Sequence, residues 1–468
     1  MISYFKSILL SRLFLLVLLF LAIRVPLILL GIPLTLQEVK AMVLGERLSE
    51  NFMLYRDVYD TTAPLSAALF WVVDVAFGRN ILMYRIIAST LIFIQGLRLN
   101  LTLNTNGVLN EKTYLPALLY FIFGSIFFEF DTLSPLLLGM TFLIFSIQYL
   151  IVAPKEGISN PRLFKGGFML GIAALCYLPF LLFLIFGFFA VVFFAFNTFR
   201  SFLLFLCGLL FPYIVAFTYF LYADALPNFI QYNILSAWQF DIDLLLPGLD
   251  LLKIVALPIL FLLFAVTFCA IYAPGLNYQL KFFQLMLIWL PIAALVTIAG
   301  QEISAITWLL FLPAFTYFAT FLFLRSNFLW LTEPLFLILF GFAILTRYNT
   351  LLPPLPYVAI NTSGLTTQSA SKYYEVTNAR ILVLGDDINF YVANKAATPY
   401  INWQLAQEDF GQLNTYYAVF KISQNIATAK PEYIVDEKGL MPELRYKAPE
   451  VFGRYKHIGQ NHLYKRID

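Results

Sequence analysis

The chain has 468 residues, 61% of them hydrophobic and 12% charged, with a mean hydropathy of +0.80 and a formal net charge of +3 at pH 7. A soluble domain carries about 25% charged residues, so lipid is the solvent for most of this chain. The small net charge makes no case for nucleic acid, and none is expected as a partner. Cys176, Cys207 and Cys269 all fall in apolar runs, which favours small buried hydrophobes over a disulfide and excludes a Cys/His metal site.

Lys6 and Arg12 precede a mostly apolar run from Phe14 to Leu30, and no small-residue cleavage site follows, so the run reads as a retained first span. Arg24 interrupts it, and a side chain snorkelling to the interface is expected there. A span needs about 20 apolar residues, fewer where broken helices pack inside a bundle. On that basis spans are predicted near 9–31, 81–103, 114–130, 132–152, 166–178, 180–197, 201–222, 252–273, 282–300, 303–324 and 328–346. Pro179 divides the long run 166–197, because proline removes a backbone donor; two short segments are expected, with one kinked helix as the alternative.

The segment 64–78 is apolar but short and contains Asp74. If it does not cross, Lys112, Lys155, Arg162, Lys165, Arg200, Lys281 and Arg325 all share a side with Lys6 and Arg12, which is the positive-inside pattern. It therefore reads as an interfacial or half-inserted helix on the outer face. The same count places the connection 31–80, the turn at Glu129–Asp131, the connection 223–251, the Gln301-Glu302 turn and the C-terminus outside.

After Arg347 come a Pro-rich bridge (Pro353, Pro354, Pro356) and a polar linker, 347–372, and then a small domain over 373–468. ARILVLGDD reads as a buried strand ending in a turn, PEYIVDE as a second strand, and YKHIGQNHLYKR as a hairpin turning at 459–461. The expected architecture is an α-helical polytopic membrane protein of about 11 spans, with transmembrane domain 1–346, interfacial helices near 36–78, and a small C-terminal α/β extracytoplasmic domain. A multi-pass protein of the bacterial inner membrane is expected, with its N-terminus cytoplasmic.

Carboxylates kept at membrane rims are functional candidates, since burying one in lipid costs several kcal/mol. Glu38, Glu46, Arg47, Arg56, Asp57 and Asp60 lie in the first outer connection, Glu129 and Asp131 open the fourth span, and Glu302 caps an outer turn. Solvation at a rim is the alternative reading for each of them. The GDD turn at 385–387 reads as structural. His457 and His462 do not share a strand face, so no metal site follows. The triplets at Asn100 and Asn361 fit the glycosylation sequon, which matters only in a eukaryotic secretory compartment.

The stretch QEVKAMVLGERLSENFMLYRDVYDTTAPLSAALFWVVDVAFGRNILMYRI resembles the start of the glycosyltransferase-C superfamily, in its dolichyl-phosphate-mannose-protein mannosyltransferase-like branch. Glu38, Tyr55, Arg56, Asp57, Pro64, Leu65, Gly78 and Arg85 fill that branch's positions, and Asp131 in FEFDTLSPLLL matches its acidic residue at the start of the fourth span. The likeness covers about the first 150 residues. It implies transfer of a sugar from a polyprenyl-phosphate donor to an acceptor on the outer side, with Glu38 as base or acceptor-orienting group and Asp131 as second catalytic carboxylate. Arg56, Asp57, Arg85 and Glu129 are then the substrate-binding candidates, the two arginines on phosphate. Cationic groups or a divalent metal hold the leaving phosphate in such chemistry. The chain departs from the pattern at Gln37, where relatives carry an acid, and in GIAALCYLP, where Tyr177 lies near the position of a family lysine. Those departures sustain an alternative, a non-catalytic membrane scaffold of an envelope or secretion assembly, its C-terminal domain meeting an envelope protein partner. A transporter comes third, since Pro179 alone suggests a broken helix.

Overall fold

The computed structural model describes the chain except residues 1, 110, 152–158, 196–197, 237–241, 273–274, 326–328, 352–358, 459–461 and 468. The Pro353–Pro356 bridge, Lys155 and the hairpin turn expected at 459–461 lie outside the described residues. In chain order the first helices are α1 (Ile2–Phe5), α2 (Leu10–Leu30), α3 (Leu36–Ser49), α4 (Pro64–Phe77), α5 (Ile81–Thr105), α6 (Leu115–Phe123) and α7 (Pro135–Leu150). There follow α8 (Asn160–Cys176), α9 (Leu184–Phe194), α10 (Thr198–Tyr222), α11 (Leu226–Phe229), α12 (Gly248–Ile271), α13 (Asn277–Ala299), α14 (Leu312–Arg325) and α15 (Leu329–Arg347). The last are α16 (Trp403–Phe410), α17 (Tyr416–Ala429), α18 (Met441–Lys447) and α19 (Pro449–Phe452).

The chain is a helical membrane protein with a small sheet towards its C-terminus. Among the described residues, five helices are long and apolar enough to cross a membrane: α2, α5, α10, α12 and α13. Shorter apolar helices accompany them at Pro64–Phe77, Pro135–Leu150, Leu178–Phe194 and Leu312–Arg325. The 14 residues of α14 reach only about 21 Å at about 1.5 Å each, less than the hydrocarbon core of a bilayer.

Two compact units emerge. The first comprises Met1–Pro33, Ile81–Ala216 and Gln239–Gly364. Within it α14 is buried on every side from Leu312 to Phe323, as a helix apolar all round must be. Gln95 supplies polar glue: its Nε2 donates to Leu137 O at 2.9 Å and Thr141 Oγ1 at 2.8 Å, while Tyr120 donates to its Oε1 at 2.8 Å. Helices α8 and α10 cross backbone to backbone, because a Cβ on Gly167 or Gly171 would collide with Phe205 O or Leu209 O, and one on Gly208 with Phe164 O. This is the small-residue crossing through which membrane helices gain close packing. At Pro179 α8 has already ended, and a 3-10 segment, Leu178–Phe183, leads into α9. The chain thus forms two short helices there.

The second unit comprises Leu34–Asn80, Phe217–Trp238 and Leu365–Asp468. Its sheet runs β4-β3-β5-β7-β6 in space, from strands β3 (Arg380–Leu384), β4 (Lys395–Ala396), β5 (Tyr433–Asp436), β6 (Tyr455–Ile458) and β7 (Leu463–Arg466). The remaining strands, β1 (Asp243–Leu244) and β2 (Glu302–Ile303), form a two-residue parallel pair in the first unit. In the sheet β3 is parallel to β4 and β5, and β7 is antiparallel to both β5 and β6. The buried run Ile381–Leu384 reflects that central place. The segment 34–80 folds onto this sheet. Leu36 N donates to Leu365 O at 2.9 Å, Thr367 N to Leu34 O at 2.8 Å, and Tyr59 N to Pro399 O at 2.9 Å. Arg79 donates to Tyr391 O at 2.9 Å and Asn394 O at 3.0 Å, while Lys395 pairs with Glu46 at 2.8 Å and Arg380 with Glu50 at 3.2 Å.

Candidate functional site

The candidates of the first connection are built by a helix, a turn and a second helix. Thr35 begins α3 with a reciprocal capping box: Glu38 N donates to Thr35 Oγ1 at 3.1 Å, and Glu38 Oε2 accepts from Thr35 N at 2.9 Å and Thr35 Oγ1 at 3.2 Å. Such a box satisfies two helix-end donors at once, and here it occupies one oxygen of a buried carboxylate. The signal was readable as T-L-Q-E, a capping signature overlapping the resemblance motif.

The next turn is held by Tyr55, whose φ of 68° is left-handed, uncommon for a bulky residue. Its ring lies 5.2 Å from that of Phe220 and 5.5 Å from that of Phe229. Its hydroxyl donates to Thr62 O at 2.7 Å, and its carbonyl accepts from Asn228 Nδ2 at 2.9 Å. The turn so fixed presents Arg56 and Asp57. Asp57 accepts from Arg56 Nε at 3.0 Å, Arg56 Nη2 at 2.9 Å and Met53 N at 2.9 Å. Arg56 Nη1 donates to Ala223 O at 3.1 Å. Burial pushes the Asp57 carboxyl up, but the Arg56 guanidinium and the Met53 amide outweigh it and hold the group below the ordinary carboxylate range. The side chains are 47% and 31% exposed.

The other candidates are enclosed. Arg85 donates to the carbonyls of Ile32 at 3.1 Å and Pro33 at 3.2 Å, gathering the chain after α2. Glu129 is buried and accepts from Ser304 Oγ and from Ile306 N at 3.1 Å, which ties the α6–α7 turn to the segment after β2. Asp131 is paired with Arg347 and Arg24. Arg24 therefore turns inward instead of snorkelling, because Asp131 and the carbonyls of Gly124 and Phe130 give it a better set of acceptors than the interface. Glu38, Arg56 and Asp57 belong to the second unit, Asp131, Glu129 and Arg85 to the first.

Among the described residues no three His, Cys, Asp or Glu side chains are grouped to hold a metal, and both oxygens of Asp131 face cationic partners. Gly385 to Asp387 form a structural turn, with Asp387 capping the 3-10 segment Ile388–Tyr391 through Asn389 N at 3.1 Å. His457 stands opposite Tyr464 in the β6–β7 hairpin. Asn100 is buried within α5, where its Oδ1 accepts from Ala117 N at 3.4 Å. No protein-family model matches the chain, and no curated protein matches it either.

Proposed function

We propose that this chain is a membrane glycosyltransferase that moves a sugar from a polyprenyl-phosphate donor to an acceptor on the outer side of the membrane. The observation that carries the reading is the Tyr55–Asp57 turn, which alone among the sequence candidates presents a paired guanidinium and carboxylate that are both open to solvent. A guanidinium whose Nε and Nη2 grip Asp57 has the planar fork that also grips phosphate. Exchange of Asp57 for a donor phosphate on Arg56 frees an ionised carboxylate that takes the acceptor hydroxyl's proton as that oxygen bonds the anomeric carbon, while the sugar–phosphate bond breaks and the polyprenyl phosphate leaves on Arg56. Glu38 then acts as a positioning residue, since its capping box sets the start of α3. The full topology belongs to the same proposal: about eleven spans in a bacterial inner membrane, N-terminus cytoplasmic and sheet domain outside.

Purified full-length protein given polyprenyl-phosphate-linked hexoses, pentoses and aminosugars should transfer at least one of them. Arg56→Ala and Asp57→Asn should each lower the rate by about 100-fold, the scale of losing one charge-stabilising group. No transfer from any donor, or unchanged rates in both variants, would overturn the reading.

A second reading, a non-catalytic scaffold of an envelope assembly, is favoured by one specific observation. Glu38, Glu129 and Asp131 all spend carboxylate oxygens on intramolecular partners. A stoichiometric protein partner on purification, with an unchanged glycan profile in a deletion strain, would support it instead.

A further inference from the structure

Arg24 from α2, Arg347 from the last turn of α15 and Asp131 from the turn before α7 meet inside the first unit, at 1%, 0% and 1% exposure. Arg347 Nη2 lies 2.8 Å from Asp131 Oδ2, and Arg24 Nη2 lies 3.3 Å from Asp131 Oδ1. The other donors go to neutral acceptors. Arg24 Nε donates to Ser125 Oγ at 3.0 Å, and its Nη2 to Gly124 O at 3.2 Å and Phe130 O at 3.0 Å. Arg347 Nε donates to Ile23 O at 2.8 Å and its Nη1 to Ser125 O at 3.1 Å.

Two features of this cluster are unbalanced. Two guanidiniums face one carboxylate, and among the described residues no second acid pairs with either. Arg24 Nη1 is a buried donor and Asp131 Oδ1 a buried acceptor, each without a hydrogen-bond partner. Arginine does not shed its proton to escape burial, and an uncompensated charge withdrawn from water costs several kcal/mol. The carbonyls of Gly124 and Ser125, just past the end of α6, soften that cost with the negative end of a helix dipole but leave the charge count and the free donor as they are. The position of Arg24 says where compensation comes from. On α2, a helix long and apolar enough to cross a membrane, its neighbours Leu21 and Val25 are 49% and 40% exposed. Those side chains give α2 an exposed apolar face within one turn of Arg24, whose own side chain is 1% exposed.

We propose that Arg24 and Arg347 form a binding site for the phosphate of an anionic lipid, with the excess positive charge as the attraction and Arg24 Nη1 as the donor left for a phosphate oxygen. The phosphate of a bilayer lipid headgroup and that of a polyprenyl phosphate share this chemistry. The inference stands on charge and hydrogen-bond balance and is independent of sugar transfer.

The test uses full-length protein in a non-ionic detergent and two matched pairs of probes: a short-chain polyprenyl phosphate against the same polyprenol, and phosphatidylglycerol against diacylglycerol. The phosphate-bearing member of at least one pair should raise the melting temperature and remain bound in native mass spectrometry, and its phosphate-free counterpart should do neither. Arg24→Gln leaves a balanced Arg347–Asp131 pair, so it should fold and bind the phosphate lipid at least about tenfold more weakly. Preference for the polyprenyl phosphate identifies a polyprenyl lipid as occupant, and preference for phosphatidylglycerol identifies the bilayer; either outcome supports the site. Equal stabilisation by both members of each pair, by inorganic phosphate alone, or by neither lipid phosphate would overturn it. So would unchanged affinity in a folded Arg24→Gln protein. The comparison of matched lipids needs no variant and decides the matter if that substitution fails to fold.

Discussion

Arg347 closes on Asp131 at 2.8 Å with both side chains out of contact with solvent, which joins the end of α15 to the turn before α7 across 216 residues of sequence. Removing one member of a buried pair strands the other as a bare charge and costs about 3–5 kcal/mol. Asp131→Asn leaves two guanidiniums without a carboxylate and should therefore lower stability by at least that amount in detergent unfolding. Arg347→Ala should cost less, since Asp131 keeps Arg24 at 3.3 Å. A loss below about 1 kcal/mol in both variants would contradict the assigned pairing.

The capping box at Thr35 makes a local prediction. Thr35→Ala removes the hydroxyl that accepts from Glu38 N, and a lost N-cap costs about 1 kcal/mol. Hydrogen exchange should quicken in the first turn of Leu36–Ser49 and remain unchanged in α17. Uniform change across the protein would show that Thr35 acts elsewhere.

At the ends of β3 and β5 two carboxyls titrate in opposite senses. Burial pushes Asp387 up, but hydrogen bonds from Tyr373 and Asn389 and the charge of Lys372 outweigh it and hold the group below its ordinary value. Glu437 is pushed up by burial and by neighbouring Asp387. The stabilisation from Asp387 is present above the unfolded carboxyl pKa of about 3.9 and is lost as pH falls through its lower folded value. The contribution of Glu437 has the opposite sign: it is full below about pH 4.3 and is lost as pH rises through its raised folded value. At pH 7 Glu437→Gln should therefore raise the stability of the sheet region and Asp387→Asn should lower it. Exchange of the β3 and β5 amides, compared at pH 7 and pH 4, reads both effects in the full chain. The gain from Glu437→Gln should shrink at the lower pH.

Helices α8 and α10 touch through glycines, so added volume has nowhere to go. Gly208→Leu would drive a side chain into Phe164 O, and because backbone must move, the cost should exceed the roughly 1–3 kcal/mol of ordinary overpacking. The monodisperse fraction on size exclusion should collapse, while leucine at Gly341, which has no atom within 4 Å of an added Cβ, should be tolerated.

Much of this architecture is legible in the sequence where the signal is local. The apolar runs announce the long helices, Pro179 announces the break between α8 and α9, and ARILVL and YIVD announce the two central parallel strands. The Tyr55–Asp57 turn is legible as a motif. Long-range pairings are not. Nothing in the composition of 34–80 says that Arg79, Glu46 and Tyr59 will find Asn394, Lys395 and Pro399 some 300 residues away, because those bonds depend on where the backbone is delivered. The inward turn of Arg24 escapes for a similar reason: its acceptors lie about 100 residues downstream, and an isolated apolar segment offers an arginine only the interface.

The left-handed backbone at Tyr55 also sets a timetable for synthesis. That conformation is unfavourable for a tyrosine on its own, and the carbonyl of Tyr55 meets the amide of Asn228, 173 residues later in the chain. A ribosome adding about 5–20 residues per second needs roughly 10–35 s to cover that distance. For that interval the nascent turn carrying Arg56 and Asp57 has neither Phe220 nor Phe229 to hold it, so the charged face of the first connection matures only once α11 has emerged.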